Sequence, residues 1–236
     1  MKIAIYGKSI QESDSSAIET LLQTIKSIGA SITFHENFLN AIKKIDLDLS
    51  EGYESFESNE DIHGKVDFLI SIGGDGTFLD TIALVRASNI PILGINTGRL
   101  GFLSTTSTTD IKSAIEALRD NQFKVEKRSL LELIESENLF GDNNYALNEI
   151  SLLKKDTSSM ISVEVEVDGI KLNTYWTDGL IISTATGSTA YSLSCGGPIL
   201  MPGSGNFVLT PIAPHNLNAR PIVINDNSVL KIKICL

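Results

Sequence analysis

Two rhythms of apolar and polar positions divide this chain. In the first half, short apolar runs alternate with stretches of helical spacing. Lys2–Tyr6 reads as a strand, after which Ile18, Leu21, Leu22, Ile25 and Ile28 recur at helical spacing. Ser13 and Asp14 precede that helix as possible caps, and Gly29 follows as a stop. Ser31–Phe34 resumes strand, and Asn37–Ile45 reads as a short helix. Residues 46–65 are polar and acidic, with Glu51, Glu54, Glu57, Glu60 and Asp61, and read as a solvated, mobile loop. Their place just ahead of a glycine-rich turn also permits a lid. Val66–Ile72 and Ile90–Ile95 have the character of buried strands, and Asp110 opens a helix with Ile111, Ala114, Ile115 and Leu118 on one face. Such alternation predicts a doubly wound α/β domain with a parallel sheet and ligands at the carboxyl ends of its strands.

From about Phe123 the period falls to two. Leu130–Ile134, Tyr145–Leu152, Ile161–Val167, Ile170–Tyr175, Leu180–Ser183, Phe207–Thr210 and Val229–Ile234 read as strands, and Asp168-Gly169 is a two-residue hairpin signal. These strands predict an antiparallel β-sandwich. The expected division is an α/β domain over residues 1–122 and an all-β domain over 123–236, with the site between them.

Composition narrows the function. At 42% apolar and 20% charged residues, the chain can bury a core. A net charge of −10 argues against coating nucleic acid or an acidic membrane. It also means that any phosphate must be held by local dipoles, metal ions and a few cations. No apolar stretch reaches the ~20 residues of a membrane span, and Met1–Tyr6 enters a strand pattern with no signal-peptide core. Cys195 and Cys235 have neither the number nor the spacing of a metal site or a disulfide framework. A cytoplasmic location is expected.

The most informative segment is the strand Val66–Ile72 stopping at Gly73-Gly74-Asp75-Gly76-Thr77, with helical spacing resuming at Phe78. Glycines let the backbone turn tightly and approach a ligand. The amides opening the next helix suit phosphate. Asp75 is unusual there: a carboxylate beside an anion suggests a metal-bridged polyphosphate, or a base for an attacking hydroxyl. The plainer alternative is a helix N-cap.

Three clusters in the β half are too polar for ordinary core. Asn148-Glu149 could clamp adjacent ribose hydroxyls, or be an exposed pair at a strand edge. Trp176-Thr177-Asp178-Gly179 through Thr186-Gly187-Ser188-Thr189-Ala190-Tyr191-Ser192 could bind polar ligand atoms and stack a purine, or be a capped turn. The Pro-punctuated loop Thr210–Pro221 holds Arg220, which could pair with phosphate or with a structural carboxylate. His215 reads as a loop hydrogen-bonder, and His35 and His63 have no supporting constellation.

Taken together, Gly73-Gly74-Asp75-Gly76-Thr77, the run Asn96-Thr97-Gly98-Arg99-Leu100-Gly101-Phe102-Leu103, Leu147-Asn148-Glu149, Thr177-Asp178-Gly179, Thr186–Tyr191, Gly196-Gly197-Pro198 and Arg220-Pro221 resemble the bacterial NAD kinase family in content, order and spacing. The glycine motif alone is shared with lipid and sphingoid-base kinases; the later motifs are not. The resemblance implies transfer of the γ-phosphoryl group of ATP to the 2′-hydroxyl of the adenosine ribose of NAD, with Mg²⁺ arriving with ATP. It implies Asp75 as the catalytic or metal-side carboxylate, and Gly74, Gly76 and Thr77 around phosphate. Asn148 and Glu149 would hold the ribose, and Asp178 would approach the nicotinamide end. Thr186, Thr189, Ala190, Tyr191 and Ser194 would line the adenine pocket, with Phe102 at its border. Homodimers or homotetramers through the β domain are implied as well. The family's members continue for several tens of residues past the point where this chain stops, so the sandwich is expected to be incomplete. Two competitors remain at this stage, a lipid or sphingoid-base kinase and a non-catalytic dinucleotide sensor.

Overall fold

The apolar runs of the first half assemble one parallel sheet. The computed structural model describes residues 1–45, 52–98, 101–134, 139–141, 143–155 and 159–235. They form two units, Met1–Val125 and Glu126–Leu236.

In the first unit the strands are β1 (Lys2–Gly7), β2 (Ser31–His35), β3 (Glu54–Phe56), β4 (Phe68–Ile72), β5 (Ile92–Asn96) and β6 (Thr106–Ser107). Their order is β3-β2-β1-β4-β5-β6, with every pairing parallel. The helices are α1 (Ser15–Ser27), α2 (Glu36–Lys43), α3 (Asn59–Ile62), α4 (Asp75–Val85) and α5 (Ile111–Arg119). Side chains alternate across a strand, so neighbouring residues of β1 enter different layers. Ile3 and Ile5 pack with Ile18, Leu21 and Ile25 of α1, Phe38 and Ile42 of α2, and Ile111 and Ile115 of α5. Ala4, between them, packs with Ile62 of α3 and with Leu84 and Val85 of α4. The sheet is therefore doubly wound, as its rhythm predicts. Each fully buried Ile or Phe contributes roughly 1.5–3 kcal/mol, so these layers hold the carboxyl ends of the strands in place.

The strand order reverses between β1 and β4, one element running outward to β2 and the other to β5. In open α/β sheets, ligands bind in the crevice at that reversal. The glycine-rich turn follows β4 and so sits there.

The second unit carries β7 (Leu131–Glu132), β8 (Tyr145–Ala146), β9 (Glu149–Leu153), β10 (Ile161–Val167), β11 (Ile170–Thr177), β12 (Gly179–Thr184), the one-turn helix α6 (Tyr191–Ser194), β13 (Asn206–Ile212), β14 (Ile222–Asn225) and β15 (Leu230–Cys235). An antiparallel sheet β11-β10-β15 and another, β14-β13-β12-β9, share one core. Val163, Val165 and Tyr175 of the first sheet pack with Leu180, Ile182, Phe207 and Leu209 of the second. Asp168 and Gly169 both take positive φ, 51° and 80°, as the predicted tight hairpin between β10 and β11 requires.

Two expectations need correction. The acidic stretch read as a mobile loop carries β3 and α3, because Phe56 and Ile62, 3% and 1% exposed, anchor it to the sheet. Residues 46–51 of that stretch lie outside the described residues. The predicted strand Tyr145–Leu152 breaks at Leu147-Asn148, where Leu147 turns into the interior. Ile222–Asn225, for which the sequence predicts no element, forms β14 beside β13.

Candidate active site

Beyond β4 the chain must reverse within two residues. Gly73 does so at φ 142°, where an added Cβ would lie 2.5 Å from Thr77 Oγ1. Thr77 thus fills the space that Gly73 leaves, which accounts for their spacing. Gly74 is the N-cap of α4, and no side chain caps this end. Gly74 and Gly76 are exposed, and the amides of Gly74, Asp75 and Gly76 have no partner among the described residues. Uncapped amides at the positive end of a helix dipole form an anion site.

Asp75 is not the N-cap. Its carboxylate faces the segment after β5, where Phe102 N–H donates to Oδ2 at 2.7 Å, and Leu103 and Ser104 N–H donate to Oδ1 at 2.9 and 3.0 Å. Asn96 folds this segment back from its other end. Its Nδ2 donates to Ser104 O at 3.2 Å, and its Oδ1 accepts from Gly98 N–H at 2.7 Å. Gly101 is required by the close approach, since a Cβ there would lie 2.2 Å from Asp75 Oδ1. Arg99 and Leu100 lie outside the described residues. The structure thus brings Gly74, Asp75, Gly76, Thr77 and Phe102 together, with the Phe102 ring 85% exposed.

Burial raises the Asp75 pKa, but the three backbone N–H bonds outweigh it and hold the carboxyl below its ordinary range. An ionised carboxylate offers about four acceptor positions, of which these bonds take three. The arrangement suits orienting a hydroxyl through the remaining position more than taking a proton outright.

In the second unit Asn148 and Glu149 sit where the edge strand β9 begins, opposite the end of β12, with Glu149 paired to Ser183. The Asn148 carbonyl accepts from Thr184 N–H at 2.9 Å and Ser183 Oγ at 3.3 Å. Glu149 Oε2 is buried with no hydrogen-bond partner, and burial holds its carboxyl above the ordinary range. A desolvated carboxylate without a donor is costly and marks a position that awaits one.

The Thr-Gly-Ser-Thr turn packs onto the same spot. A Cβ on Gly187 would lie 2.1 Å from the Asn148 carbonyl oxygen. Thr186 Oγ1 accepts from Arg128 at 3.2 Å, while Thr189, Tyr191 and Ser194 are exposed and Ala190 is half-buried. Buried hydroxyls of the same polar clusters brace this turn from behind. Thr184 Oγ1 accepts from Gly187 N–H, Ser188 Oγ accepts from Leu200 N–H, and Ser192 Oγ pairs with Thr210 Oγ1.

Asp178 stands apart. It precedes β12 at the end away from Glu149, about 17 Å off at roughly 3.3 Å per strand residue. It forms an ion pair with Lys154 at 2.7 Å. Arg220 is exposed and donates to the carbonyls of Leu217 and Ala219, so it has a structural partner within its own loop.

Among the described residues no three His, Cys, Asp or Glu side chains gather as a metal site, and no helix is long and apolar enough to cross a membrane. A cation carried by phosphate oxygens, with at most one protein carboxylate, fits the donor set around Asp75.

Comparison with known proteins agrees with this geometry. Residues 7–123 match the ATP-NAD kinase N-terminal domain, and residues 147–235 match the ATP-NAD kinase C-terminal domain. The NAD kinase of Flavobacterium psychrophilum is 47% identical over 236 residues, covering 99% of this chain and 80% of that protein. That of Bacteroides fragilis is 47% identical over 228 residues, covering 96% and 77%. Yeast NADH kinase complexed with NADH superposes with a TM-score of 0.81 at 25% identity, covering 99% of this chain and 72% of that one. The NAD kinase from Archaeoglobus fulgidus in complex with ATP gives 0.72 at 28% identity, covering 99% and 81%. With both domains matched and relatives this similar along nearly all of its length, the chain belongs to the ATP-NAD kinase family and is an NAD-phosphorylating enzyme.

Proposed function

We propose that the γ-phosphoryl group of ATP passes to the 2′-hydroxyl of the adenosine ribose of NAD with Asp75 as the catalytic carboxylate. The observation that carries this reading is the uncapped glycine turn at the sheet reversal, with Asp75 fixed beside it by three backbone amides. Phosphoryl transfer asks the protein for positioning and charge stabilisation rather than covalent chemistry. Gly74, Gly76 and Thr77 surround the phosphates, and the open acceptor position of Asp75 orients the attacking hydroxyl. Asn148 and Glu149 bind the ribose, where a hydroxyl donor would satisfy the unpartnered Glu149 oxygen. Thr186, Thr189, Ala190, Tyr191 and Ser194 line the adenine pocket, and Phe102 borders it. Asp178 serves the nicotinamide end, having first to share its charge with Lys154. Mg²⁺, when bound, would neutralise phosphate charge, and Asp75 is the carboxylate of the glycine turn that would hold it.

Two further features belong to this reading. Among the described residues β11 is an edge strand of the three-stranded sheet, and its Ile170 and Trp176 are 75% and 58% exposed, which favours a homodimer or homotetramer through this unit. The cysteines Cys195 and Cys235 are free thiols, in keeping with a reducing cytoplasm. A lipid acceptor would need an apolar cleft, whereas these turns are rich in hydroxyls and amides.

Glu149→Gln separates binding from stability. Loss of a charged acceptor should weaken NAD by roughly 1.5–3 kcal/mol, about tenfold to a hundredfold, in calorimetry. The same change should stabilise the ligand-free protein. The folded pKa of Glu149 is raised, so its penalty is absent below the unfolded value of 4.5 and appears as pH rises through the folded one. In thermal unfolding, the stability gain of the variant should therefore be near zero below pH 4.5 and grow as pH rises toward neutrality. An unchanged NAD affinity removes Glu149 from the site.

A further inference from the structure

With a net charge of −10, phosphate at the glycine turn has to be held by local groups, which are the turn amides, a metal ion and any cation close by. Among the cations within or directly following the described strands of the parallel sheet, Lys8 stands at the carboxyl end of β1, at the reversal of strand order. The register of β1 on β4 pairs Tyr6 with Ser71 and Gly7 with Ile72, which brings Lys8 level with Gly73 on the neighbouring strand. Parallel neighbours lie about 4.8 Å apart, so Lys8 leaves the sheet alongside the turn.

Its amine is parked nearby. Lys8 Nζ lies 3.2 Å from Asp80 Oδ2, with the two side chains 69% and 35% exposed. Asp80 is on α4, four residues after Gly76, and therefore one turn below it on the same face. Moving from Asp80 to a phosphate at the Gly76 amide is a shift of about one helical pitch, 5.4 Å, well within the swing of a lysine side chain. An exposed lysine–carboxylate pair is weak and readily exchanged for a more highly charged phosphate.

Asp80 does not lose all its partners in such an exchange. Tyr6 O–H also donates to Asp80 Oδ2, at 3.4 Å. Burial, then the Asp80 charge and this bond, push the Tyr6 pKa up to about 12, so it remains a donor across the working pH range. A donor that stays lowers the cost of releasing Lys8.

We propose that Lys8 is a phosphate-binding residue for ATP, held by Asp80 in the ligand-free enzyme and transferred to the polyphosphate at the glycine turn when ATP binds. This rests on reading the turn as the ATP phosphate site. It adds to the amides a mobile positive charge that binds the donor nucleotide and not NAD.

The test is calorimetry of ATP with Mg²⁺ on the full chain and on its Lys8→Ala and Asp80→Asn variants, with NAD titrated separately. Lys8→Ala should weaken ATP about tenfold, as loss of one charged hydrogen bond implies, and leave NAD within about twofold. In steady state the loss should appear in the KM for ATP more than in the kcat. Asp80→Asn should leave ATP affinity unchanged or tighter, because it frees the lysine. Equal ATP affinity of wild type and Lys8→Ala overturns the proposal. So does an equal loss from Lys8→Ala and Asp80→Asn, which would make the pair a structural tie. NADP formation by the wild type is followed in parallel. A chain that binds ATP through Lys8 but forms no NADP refutes the reaction and not the lysine.

Discussion

Asp75→Asn is expected to lower turnover by roughly a thousandfold, within the range of a positioned acid–base group, while NAD affinity stays within a few-fold. The carboxylate accepts three backbone N–H bonds, two on one oxygen and one on the other. Asparagine can serve one oxygen's partners, but its amide nitrogen then faces a donor N–H, either that of Phe102 or those of Leu103 and Ser104. The variant therefore loses the charge that orients the hydroxyl and also loosens the segment that presents Phe102. Gly101→Ala distinguishes the two losses. Its Cβ would lie 2.2 Å from Asp75 Oδ1, displacing the segment while keeping the carboxylate. A smaller fall in turnover than that of Asp75→Asn is expected there. Single-turnover kinetics with saturating ATP and NAD measures both, and undiminished turnover in Asp75→Asn removes Asp75 from the mechanism.

Gly187→Ala is expected to cost about 2–4 kcal/mol of stability, from overpacking added to lost hydrogen bonds. The added carbon would meet the Asn148 backbone, with O, C and Cα at 2.1, 2.4 and 2.6 Å, and none of these is the yielding end of a side chain. Displacing Asn148 disturbs the carbonyl that accepts from Thr184 N–H and Ser183 Oγ, and the Gly187 N–H bond to Thr184 Oγ1. Because Glu149 follows directly, NAD affinity should fall more than about tenfold, the equivalent of roughly 1.4 kcal/mol. Thermal unfolding should shift downward by about 10 °C or more, at about 4–8 °C per kcal/mol for a unit of this size. A melting temperature within about 2 °C of wild type would show that the turn repacks without strain, contrary to this account.

What could be read along the chain follows from how local each feature is. The alternation Ile161-Ser162-Val163-Glu164-Val165 and the Asp168-Gly169 turn specify their hairpin without distant help, and the structure pairs Val167 with Ile170 accordingly. The acidic stretch was misread because its order comes from pairing with β2, Thr33 opposite Glu54 and His35 opposite Phe56, and from the two apolar anchors among its charges. Local composition cannot register such tertiary support. The candidate site divides in the same way. Asp75 stands out within its motif, but its partners lie 27 to 29 residues away, and their hold on its carboxylate appears only in the fold. Lys8 is an unremarkable lysine after a strand until the register sets it beside Gly73. Arg128 likewise joins Thr186 across 58 residues.

The most direct test of the central claim follows the phosphoryl group itself. The purified chain is incubated with ATP labelled at the γ-phosphate, Mg²⁺ and NAD, and the labelled product is identified by phosphorus NMR and by oxidation–reduction with an NADP-specific dehydrogenase. The account predicts label on the 2′-oxygen of the adenosine ribose, dependent on all three components and lost with Asp75→Asn. ATP consumption with label in water or in a lipid acceptor, and none on NAD, would contradict it.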